Sequence, residues 1–245
     1  MCFSKYWIGG KQATKAAILN PSRKIFEIKI SKENKEFAED LIKLSKKKFQ
    51  VSYIENKKLN KIFKSSINHQ GIAALVGSKK NITTEDILEQ LREKNNPLVV
   101  VLDDITDQRN IGSIIRSCVA FFVDAIFIPK KNYNENNESM NKSASGGVEY
   151  VPIIPIINVS NLLEKLKAND FWVLGLDLET TKEITSYKWS KKNAIVLGSE
   201  GKGMKKLVKK NCDELIKIKI NPKIDSLNVS NAMAAALALY QSSQK

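Results

Sequence analysis

Apolar runs and amphipathic segments alternate along the second half of this chain, which predicts strands and helices in turn. The apolar runs are continuous, as is typical of strands covered on both faces of a parallel sheet. They occupy residues 98–102, 125–128, 171–176, 194–197 and 215–220. Segments with helical spacing of apolar residues occupy 111–121, 159–168, 204–210 and 230–242. Residues 97–245 are therefore predicted to form an α/β domain with a parallel sheet.

Three segments of this domain differ from the simple alternation. Residues 151–157 are apolar but contain Pro152 and Pro155, so an irregular or edge strand is predicted there. Residues 130–142 are polar and are predicted to form a loop. The helix at 230–242 has apolar and small residues around most of its circumference, which predicts a core or dimer-interface element.

The first 78 residues predict a small mixed α/β domain. Helices are predicted at 11–19, 36–47 and 62–66, and strands at 25–30, 49–54 and 72–76. Residues 79–96 are polar and charged and are predicted to form a linker, with an N-cap region at Thr83 opening a helix through Leu91. The single histidine, His69, lies two residues before Gly71, where a turn residue is favoured over a catalyst.

Composition narrows the class of protein. The formal net charge of +14 over 245 residues favours a polyanionic partner, although drift in a Lys- and Asn-rich proteome explains it equally well. The sequence contains neither an apolar run of roughly 18 residues nor a signal-peptide hydrophobic region, so a cytoplasmic protein without membrane contact is expected. The widely spaced Cys2, Cys118 and Cys212 argue for a reducing compartment and against a disulfide framework or a zinc site.

Arginine is used so sparingly that its positions carry information. The chain has 36 lysines and 4 arginines, and two of the four, Arg109 and Arg116, lie within eight residues around one polar loop. The planar guanidinium suits phosphate recognition better than the point charge of lysine does. A chance pairing at the start of a helix is the alternative interpretation.

Polar, glycine-bearing loops follow three of the predicted strands, at 103–110, 198–203 and 221–229. Open α/β sheets bind ligands outside the carboxyl ends of their strands, so the three loops predict one composite pocket. The loop at 198–203 is neither a phosphate loop nor a dinucleotide fingerprint, because Met204-Lys205 and Lys206 stand where those motifs need other residues. Its glycines predict either a close backbone approach or positive φ angles.

Each of these loops also has a purely structural interpretation. The glycine loop could be a tight strand-to-helix connection, against which stands Glu200 amid three glycines. Capping by Asn228 or Ser230 explains one of the polar residues around Ser226 but not all of them. Asn110 alone is typical of an N-cap, whereas Arg116, on a helix with several isoleucines, faces either solvent or an anion.

Taken in order and spacing, residues 110–116, 197–204 and 218–230 resemble the three motifs of the SpoU (TrmH-like) family of SPOUT methyltransferases. Ser145-Gly146-Gly147 also resembles a family segment. Gly9-Gly10 and the segment 69–72 resemble the small ribosomal-protein-like RNA-binding domain of the bacterial enzymes that methylate a guanosine ribose in large-subunit rRNA. The resemblance therefore covers nearly the whole chain.

This resemblance implies an S-adenosylmethionine-dependent rRNA 2′-O-methyltransferase, with a trefoil knot in its C-terminal SPOUT domain and a homodimer whose active site lies at the subunit interface. By matching position, the residues implied around the cofactor are Gly198, Ile218 and Leu227. The residues implied in catalysis are Asn110, Arg116, Glu200, Ser226 and Asn228. The chain departs from the family at Gln108-Arg109, where a proline commonly follows the aspartate.

The implied reaction is the attack of a ribose 2′-oxygen on a sulfonium methyl group, which needs no metal. Arg116 is expected to hold phosphate and polarise the hydroxyl, because a guanidinium pKa above about 12 makes it a poor base. Two alternatives stay open. One is a tRNA ribose methyltransferase with the same chemistry, against which the N-terminal domain argues. The other is a non-catalytic RNA-binding protein, against which the intact Asn110, Arg116, Glu200 and Asn228 argue.

Overall fold

The computed structural model describes residues 4–45, 47–64 and 67–244, which form two compact units. The first unit comprises residues 1–80 and 135–150, and the second comprises 81–134 and 151–245. The strands are β1 Lys5–Gly9, β2 Ile25–Ser31, β3 Gln50–Ile54, β4 Ile72–Gly77, β5 Leu98–Leu102, β6 Ala125–Pro129, β7 Ile153–Ile156, β8 Trp172–Leu176, β9 Asn193–Leu197 and β10 Glu214–Ile216. The α-helices are α1 Lys11–Leu19, α2 Lys35–Leu44, α3 Asn56–Asn60, α4 Thr84–Arg92, α5 Gln108–Ala120, α6 Glu138–Ala144, α7 Val159–Lys167, α8 Lys206–Asn211 and α9 Val229–Ser243.

A four-stranded sheet in the order β1-β4-β2-β3 forms the first unit. Strand β4 pairs antiparallel with β1 and β2, while β2 and β3 run parallel. One face of this sheet carries Ile8, Ile28 and Ala74, which pack against apolar residues of α1 and α2. Side chains alternate across a strand, so the intervening residues of β1, Lys5 and Trp7, lie on the other face.

A six-stranded sheet in the order β10-β8-β9-β5-β6-β7 forms the second unit, and every neighbouring pair of strands is parallel. The central strands β5 and β9 are buried at every position, as the predicted apolar runs at 98–102 and 194–197 require, and β9 also buries Asn193 at its start. Strand β7 lies at one edge, which confirms the prediction for the proline-bearing segment. The α/β fold with a parallel sheet is thus confirmed.

The predicted linker at 79–96 and the predicted loop at 130–142 both contain helices that belong to the compact units. The predicted linker contains α4, which opens with a reciprocal capping box between Thr83 and Asp86 and buries Ile87, Leu88 and Leu91 in the core of the second unit. The predicted polar loop at 130–142 contains the start of α6, and residues 135–150 join the first unit. The apolar stripe of α4 explains why this helix packs on the second unit. A buried ion cluster explains why residues 135–150 join the first unit.

That cluster surrounds Arg23, whose side chain is 1% exposed. Its guanidinium lies 3.1 Å from Glu149 Oε1 and 3.2 Å from Glu135 Oε1, and it donates to the hydroxyl of Tyr6. The Lys79 backbone N–H donates to the same Glu135 oxygen at 2.9 Å. A buried charge is stable only when it is paired, so this cluster ties residues 135–150 to the start of the chain.

Two further predicted elements differ from the structure. The helix expected at 62–66 is absent from the described part of that range; α3 forms earlier, and residues 65 and 66 lie outside the described residues. Phe63 instead packs with Leu59 and Ala73 in a small apolar cluster. The strand expected at 215–220 ends at Ile216, because the chain then turns away as a loop.

The thiols of Cys118 and Cys212 are free, and Cys2 lies outside the described residues. Burial raises the pKa of the Cys212 thiol to about 12. Within the described part of the chain, no helix is long and apolar enough to cross a membrane.

Candidate active site

The glycine loop after β9 folds back on itself. The backbone N–H groups of Ser199 and Gly203 each donate to the other's carbonyl, at 3.1 and 2.9 Å. Gly201 and Gly203 have φ angles of 80° and 64°, which L-residues rarely adopt. A Cβ on Gly198 would lie 2.1 Å from the Gly203 carbonyl carbon and from Met204 N. Both predicted reasons for glycine therefore occur, and Glu200 sits within this tight turn.

A second loop, after β5, is anchored by two consecutive carboxylates. Asp103 is fully buried, and its Oδ2 accepts a hydrogen bond from the Lys205 backbone N–H at 2.8 Å. The Lys131 ammonium lies 2.7 Å from Asp104 Oδ1 and holds the pKa of that carboxyl below its usual range. The bond to Lys205 fastens the β5 loop to the start of α8. Sequence reasoning missed Asp103, although paired carboxylates directly after a buried strand were a usable signal.

Helix α5 begins at Gln108 and is capped by Asp107, so Asn110 is not its N-cap. The Asp107 carboxylate accepts from the Arg109 N–H at 2.8 Å, as an N-cap does. Asn110 therefore lies in the first turn of the helix, and the prediction that it marks the helix start is corrected. Because its side chain is not used for capping, its amide is available for other contacts.

The start of α9 brings residues from the three loops together. Asn228 Oδ1 caps the helix by accepting from the Ser230 backbone N–H at 3.0 Å and its hydroxyl at 2.6 Å. Asn228 Nδ2 donates to Asn110 Oδ1 at 3.2 Å and to Glu200 Oε2 at 3.4 Å. Asn110, Glu200 and Asn228, predicted from three separate motifs, thus meet at one point. We call these three residues the polar triad.

A cavity of about 400 Å³ lies at the carboxyl ends of β8, β9 and β10. Its apolar walls include Leu176, Leu197 and Ile216. Three residues predicted to surround a cofactor line it, and so do two predicted catalytic residues. They are Gly198, Ile218 and Leu227, with Glu200 and Ser226. The cavity thus joins two of the three loops predicted to share a pocket, those at 198–203 and 221–229, whereas no residue of the loop at 103–110 lines it.

The loop after β8 contributes to the same cavity and was missed from the sequence. Asp177 and Glu179 line the cavity and lie 2.6 and 3.0 Å from the Lys209 ammonium. Hydrogen bonds to Asp177 and then Glu179 raise the pKa of Lys209. The polar residues directly after the strand at 171–176 were the available signal.

Arg116 stands apart from the other predicted catalytic residues. It is exposed on α5 and does not line the cavity. Six helical residues, at about 100° each, place it about 120° around the helix from Asn110, so the two do not share a bearing. Arg109 lies on the same exposed stripe as Arg116. Among the described residues, the Arg116 guanidinium makes no hydrogen bond or ion pair.

Parallel sheets with an apolar-walled cavity outside the strand ends are typical of α/β enzymes that hold a nucleotide-like ligand there. Residues 97–240 match the model of the SpoU rRNA Methylase family, and residues 7–82 match a model described as RNA 2′-O ribose methyltransferase substrate binding. The chain belongs to the SpoU rRNA Methylase family, and it is an RNA methyltransferase of the SpoU/TrmH type. The predicted family is therefore confirmed.

Individual proteins agree with this assignment. YacO of Bacillus subtilis (strain 168), whose name places it in the TrmH family of tRNA/rRNA methyltransferases, is 32% identical over 238 residues, covering 96% of this chain and 94% of that protein. The SpoU methyltransferase AviRb from Streptomyces viridochromogenes, in complex with AdoMet, aligns with a TM-score of 0.82 at 16% identity over 98% of this chain and 90% of that chain. The AdoMet-bound rRNA methyltransferase from Sinorhizobium meliloti aligns with a TM-score of 0.78 at 18% identity, over 98% and 88%. These two structures support the fold, while the trefoil knot and the homodimer stay predictions.

Proposed function

We propose that this protein transfers a methyl group from S-adenosylmethionine to a ribose 2′-oxygen of large-subunit rRNA. The proposed nucleotide is a guanosine. The observation that carries the proposal is the polar triad, joined by hydrogen bonds beside a cavity that Gly198, Ile218 and Leu227 line. The substrate-binding match of residues 7–82 supports an RNA substrate. The AdoMet in AviRb and in the Sinorhizobium enzyme supports the cofactor.

The cavity fits the cofactor chemically. Its aliphatic walls suit a purine ring, and the backbone of the glycine loop from Gly198 to Gly203, which lines the cavity, suits the polar edge of that ring. The carboxylates of Glu200 and Asp177 line the cavity and suit a cationic sulfonium and amino group. When bound, S-adenosylmethionine supplies an electrophilic methyl group. Gly198, Ile218 and Leu227 would hold it, largely through their backbone.

The residues of this chain would act by positioning. Asn228 is fixed by its capping role and would orient Asn110 and Glu200, the member of the polar triad that lines the cavity. Alignment of two reactants alone can lower a barrier by about 7–11 kcal/mol. Arg116 would hold a phosphate of the RNA through its planar fork and polarise the 2′-hydroxyl. The hydroxyl proton leaves to water or to a neighbouring group.

Because Arg116 does not line the cavity of its own chain, we propose that it serves the cavity of a second copy in a homodimer. A mixing experiment tests this directly. Arg116→Ala and Glu200→Gln chains are each expected to lose activity, and equal mixing through mild unfolding or coexpression should give half heterodimers. If Arg116 acts across the interface, each heterodimer has one intact site, and the mixture recovers about one quarter of wild-type activity. If it acts within its own chain, the mixture stays inactive.

The substrate is tested by mapping 2′-O-methylation across total RNA from cells with and without the protein. A site lost from large-subunit rRNA supports the proposal, and a site lost only from tRNA replaces the substrate. Methyl transfer from labelled S-adenosylmethionine to purified rRNA and tRNA provides the matching experiment in vitro. Glu89→Gln is the control for Glu200→Gln, since Glu89 is an exposed carboxylate on α4 paired only with Arg92 among the described residues. RNA binding with no transfer to any RNA would favour the non-catalytic alternative.

A further inference from the structure

The outer face of the sheet in the first unit carries aromatic rings and lysines together. We call this the outer sheet face and define it by Lys5, Trp7, Phe26, Lys29 and Leu75. Trp7 and Leu75 are directly opposite each other in the β1–β4 pair, on the side away from the buried Ile8 and Ala74. Trp7, Phe26 and Leu75 are half-buried, so part of each apolar side chain meets solvent.

A β-bulge places Phe26 on this face. Strand β2 pairs Ile25 with Val76 and Glu27 with Leu75, so Phe26 is the extra residue. Simple alternation puts Phe26 outward from the buried Ile25, and the bulge keeps Glu27 outward as well. Bulges re-aim side chains at strand edges and near functional sites. This one gives the sheet a second outward aromatic ring without removing a residue from the core.

Lysine ammonium groups lie over both rings. Lys5 Nζ is 4.2 Å and Lys24 Nζ 5.1 Å from the centre of the Phe26 ring, and Lys29 Nζ is 4.9 Å from the Trp7 ring. Lys29 also lies 3.6 Å from Glu27, its only carboxylate neighbour among the described residues. The face therefore combines flat apolar surfaces with three cations on flexible stems, in a chain of net charge +14.

The apolar cover of this face is partial. Leu59 and Phe63 pack against Ala73 and reach the Trp7 end. Helices α1 and α2 pack on the opposite face. At the other end of the face, Lys5 and Lys24 are exposed and Phe26 is half-buried.

We propose that the outer sheet face binds a single-stranded segment of the RNA substrate, with bases stacked on Trp7 and Phe26 and phosphates held by Lys5, Lys24 and Lys29. Splayed bases stack on aromatic rings, and phosphates require mobile cations close to those rings. Each lysine would exchange its ring contact for a phosphate as a base takes the ring. This inference rests on the RNA substrate of the proposed function and adds the place and mode of recognition.

The full-length protein is titrated with a short fluorescein-labelled RNA of mixed sequence and no secondary structure. Trp7→Leu and Phe26→Leu keep apolar bulk but remove the flat ring, and each is expected to weaken binding about fivefold or more. Phe37→Leu is the matched control, because Phe37 is also half-buried and has Lys11 at 5.0 Å over its ring, but lies on α2. The control should bind like the wild type. Equal affinities for all four proteins would overturn the proposal.

A measurement on the wild-type protein guards against misfolded variants. Ultraviolet cross-linking to the same RNA, followed by mass spectrometry, should attach nucleotides to peptides containing Trp7 or Phe26. RNA should also protect Lys5, Lys24 and Lys29 from acetylation while Lys43, an exposed lysine on α2, stays reactive. Cross-links confined to other residues, or equal binding of double-stranded RNA, would contradict a stacking site.

The result can be separated from the proposed enzymatic function. Cofactor affinity, measured with S-adenosylhomocysteine, should be unchanged in Trp7→Leu and Phe26→Leu, because the cavity belongs to the second unit. If the protein binds RNA through its rings but transfers no methyl group, only the enzymatic proposal fails. If it methylates RNA and the two leucine variants behave as wild type, only the outer sheet face is wrongly assigned.

Discussion

The cavity of the second unit and the outer sheet face of the first unit differ in how firmly their side chains are held. Around the cavity, backbone and side chains are fixed: Asn228 bonds to four groups, and the glycine loop has no space for a Cβ at Gly198. On the outer sheet face, lysines rest over rings through weak contacts that are easily exchanged. Methyl transfer needs one geometry, whereas contact with RNA must accept different bases. Rigidity and adaptability are therefore placed in different units.

Each unit also depends on a buried charge, and the two charges are satisfied differently. Asp103 Oδ2 accepts from the backbone N–H of Lys205, which every substitution at position 205 except proline leaves in place. Arg23 is held by side chains, two of which come from residues 135–150. The following tests run from the largest expected effect to the smallest.

Removal of the Glu149 carboxylate is expected to have the largest effect on stability. Glu149 is fully buried against Arg23, so Glu149→Ala leaves an undercompensated charge and should lower the free energy of unfolding by about 3–5 kcal/mol. Urea titration measures the loss. Glu39→Ala removes an exposed partner of Lys35 and should cost less than about 0.5 kcal/mol. Similar losses in both variants would show that the Arg23 cluster does not hold residues 135–150.

Substitution of Arg116 tests whether a residue outside the cavity of its own chain contributes to methyl transfer. Arg116→Ala should lower single-turnover methyl transfer by about 100- to 1,000-fold, and Arg116→Lys nearly as much, because lysine lacks the planar fork. Cofactor affinity should stay unchanged, because the proposed contacts of Arg116 are to the RNA phosphate and the 2′-hydroxyl and not to S-adenosylmethionine. Arg92→Ala, an exposed arginine on α4, is the control. Near-normal transfer by the lysine variant would mean that a positive charge is sufficient.

Gly198 tests the steric tightness of the loop. Gly198→Ala places a methyl group 2.1 Å from backbone atoms of Gly203 and Met204, so the loop must shift. Overpacking of this kind costs about 1–3 kcal/mol of stability, and we expect at least about tenfold weaker binding of S-adenosylhomocysteine. Gly201→Ala is the contrasting variant, because its Cβ meets no atom within 4 Å and only its φ of 80° is unfavourable. Calorimetry that finds Gly198→Ala unchanged would remove the argument for a rigid loop.

The smallest expected effect is the contribution of His69 to the pH dependence of stability. Burial, then the nearby Lys142 charge, lowers the pKa of His69. His69 Nδ1 accepts the Gly71 N–H at 3.0 Å, and Nε2 lies 2.7 Å from Asn60 Oδ1, so the neutral ring is the one that fits. The unfolded chain takes up the proton first, so stability should fall as pH drops below about 6.5, by at most about 1.4 kcal/mol per pH unit. His69→Asn should remove that part of the slope in pH-dependent urea titrations. Identical slopes would contradict the assignment.

Much of the second unit could be predicted because its signals are local. The uninterrupted apolar residues of β5 and the capping box at Thr83 act within a few residues of chain. The same holds for the glycine loop, whose conformation is set by residues 198–204. The polar triad could be predicted only by resemblance, since nothing local indicates that Asn228 meets Asn110, 118 residues away.

The sequence by itself determined the α/β class and the three strand-end loops, because periodicity and turn chemistry depend on short-range sterics. Resemblance to the family, and not local pattern, indicated Gly198, Ile218 and Leu227 in the cavity wall, and Asp177 and Glu179 were missed. Only the tertiary structure decided that residues 135–150 join the first unit, that a bulge turns Phe26 outward beside Glu27, and that Arg116 lies away from the triad. The bond between Asp103 and Lys205 spans 102 residues. Such contacts depend on which distant groups pair with a buried charge and on how neighbouring strands align. No pattern of neighbouring residues contains that information.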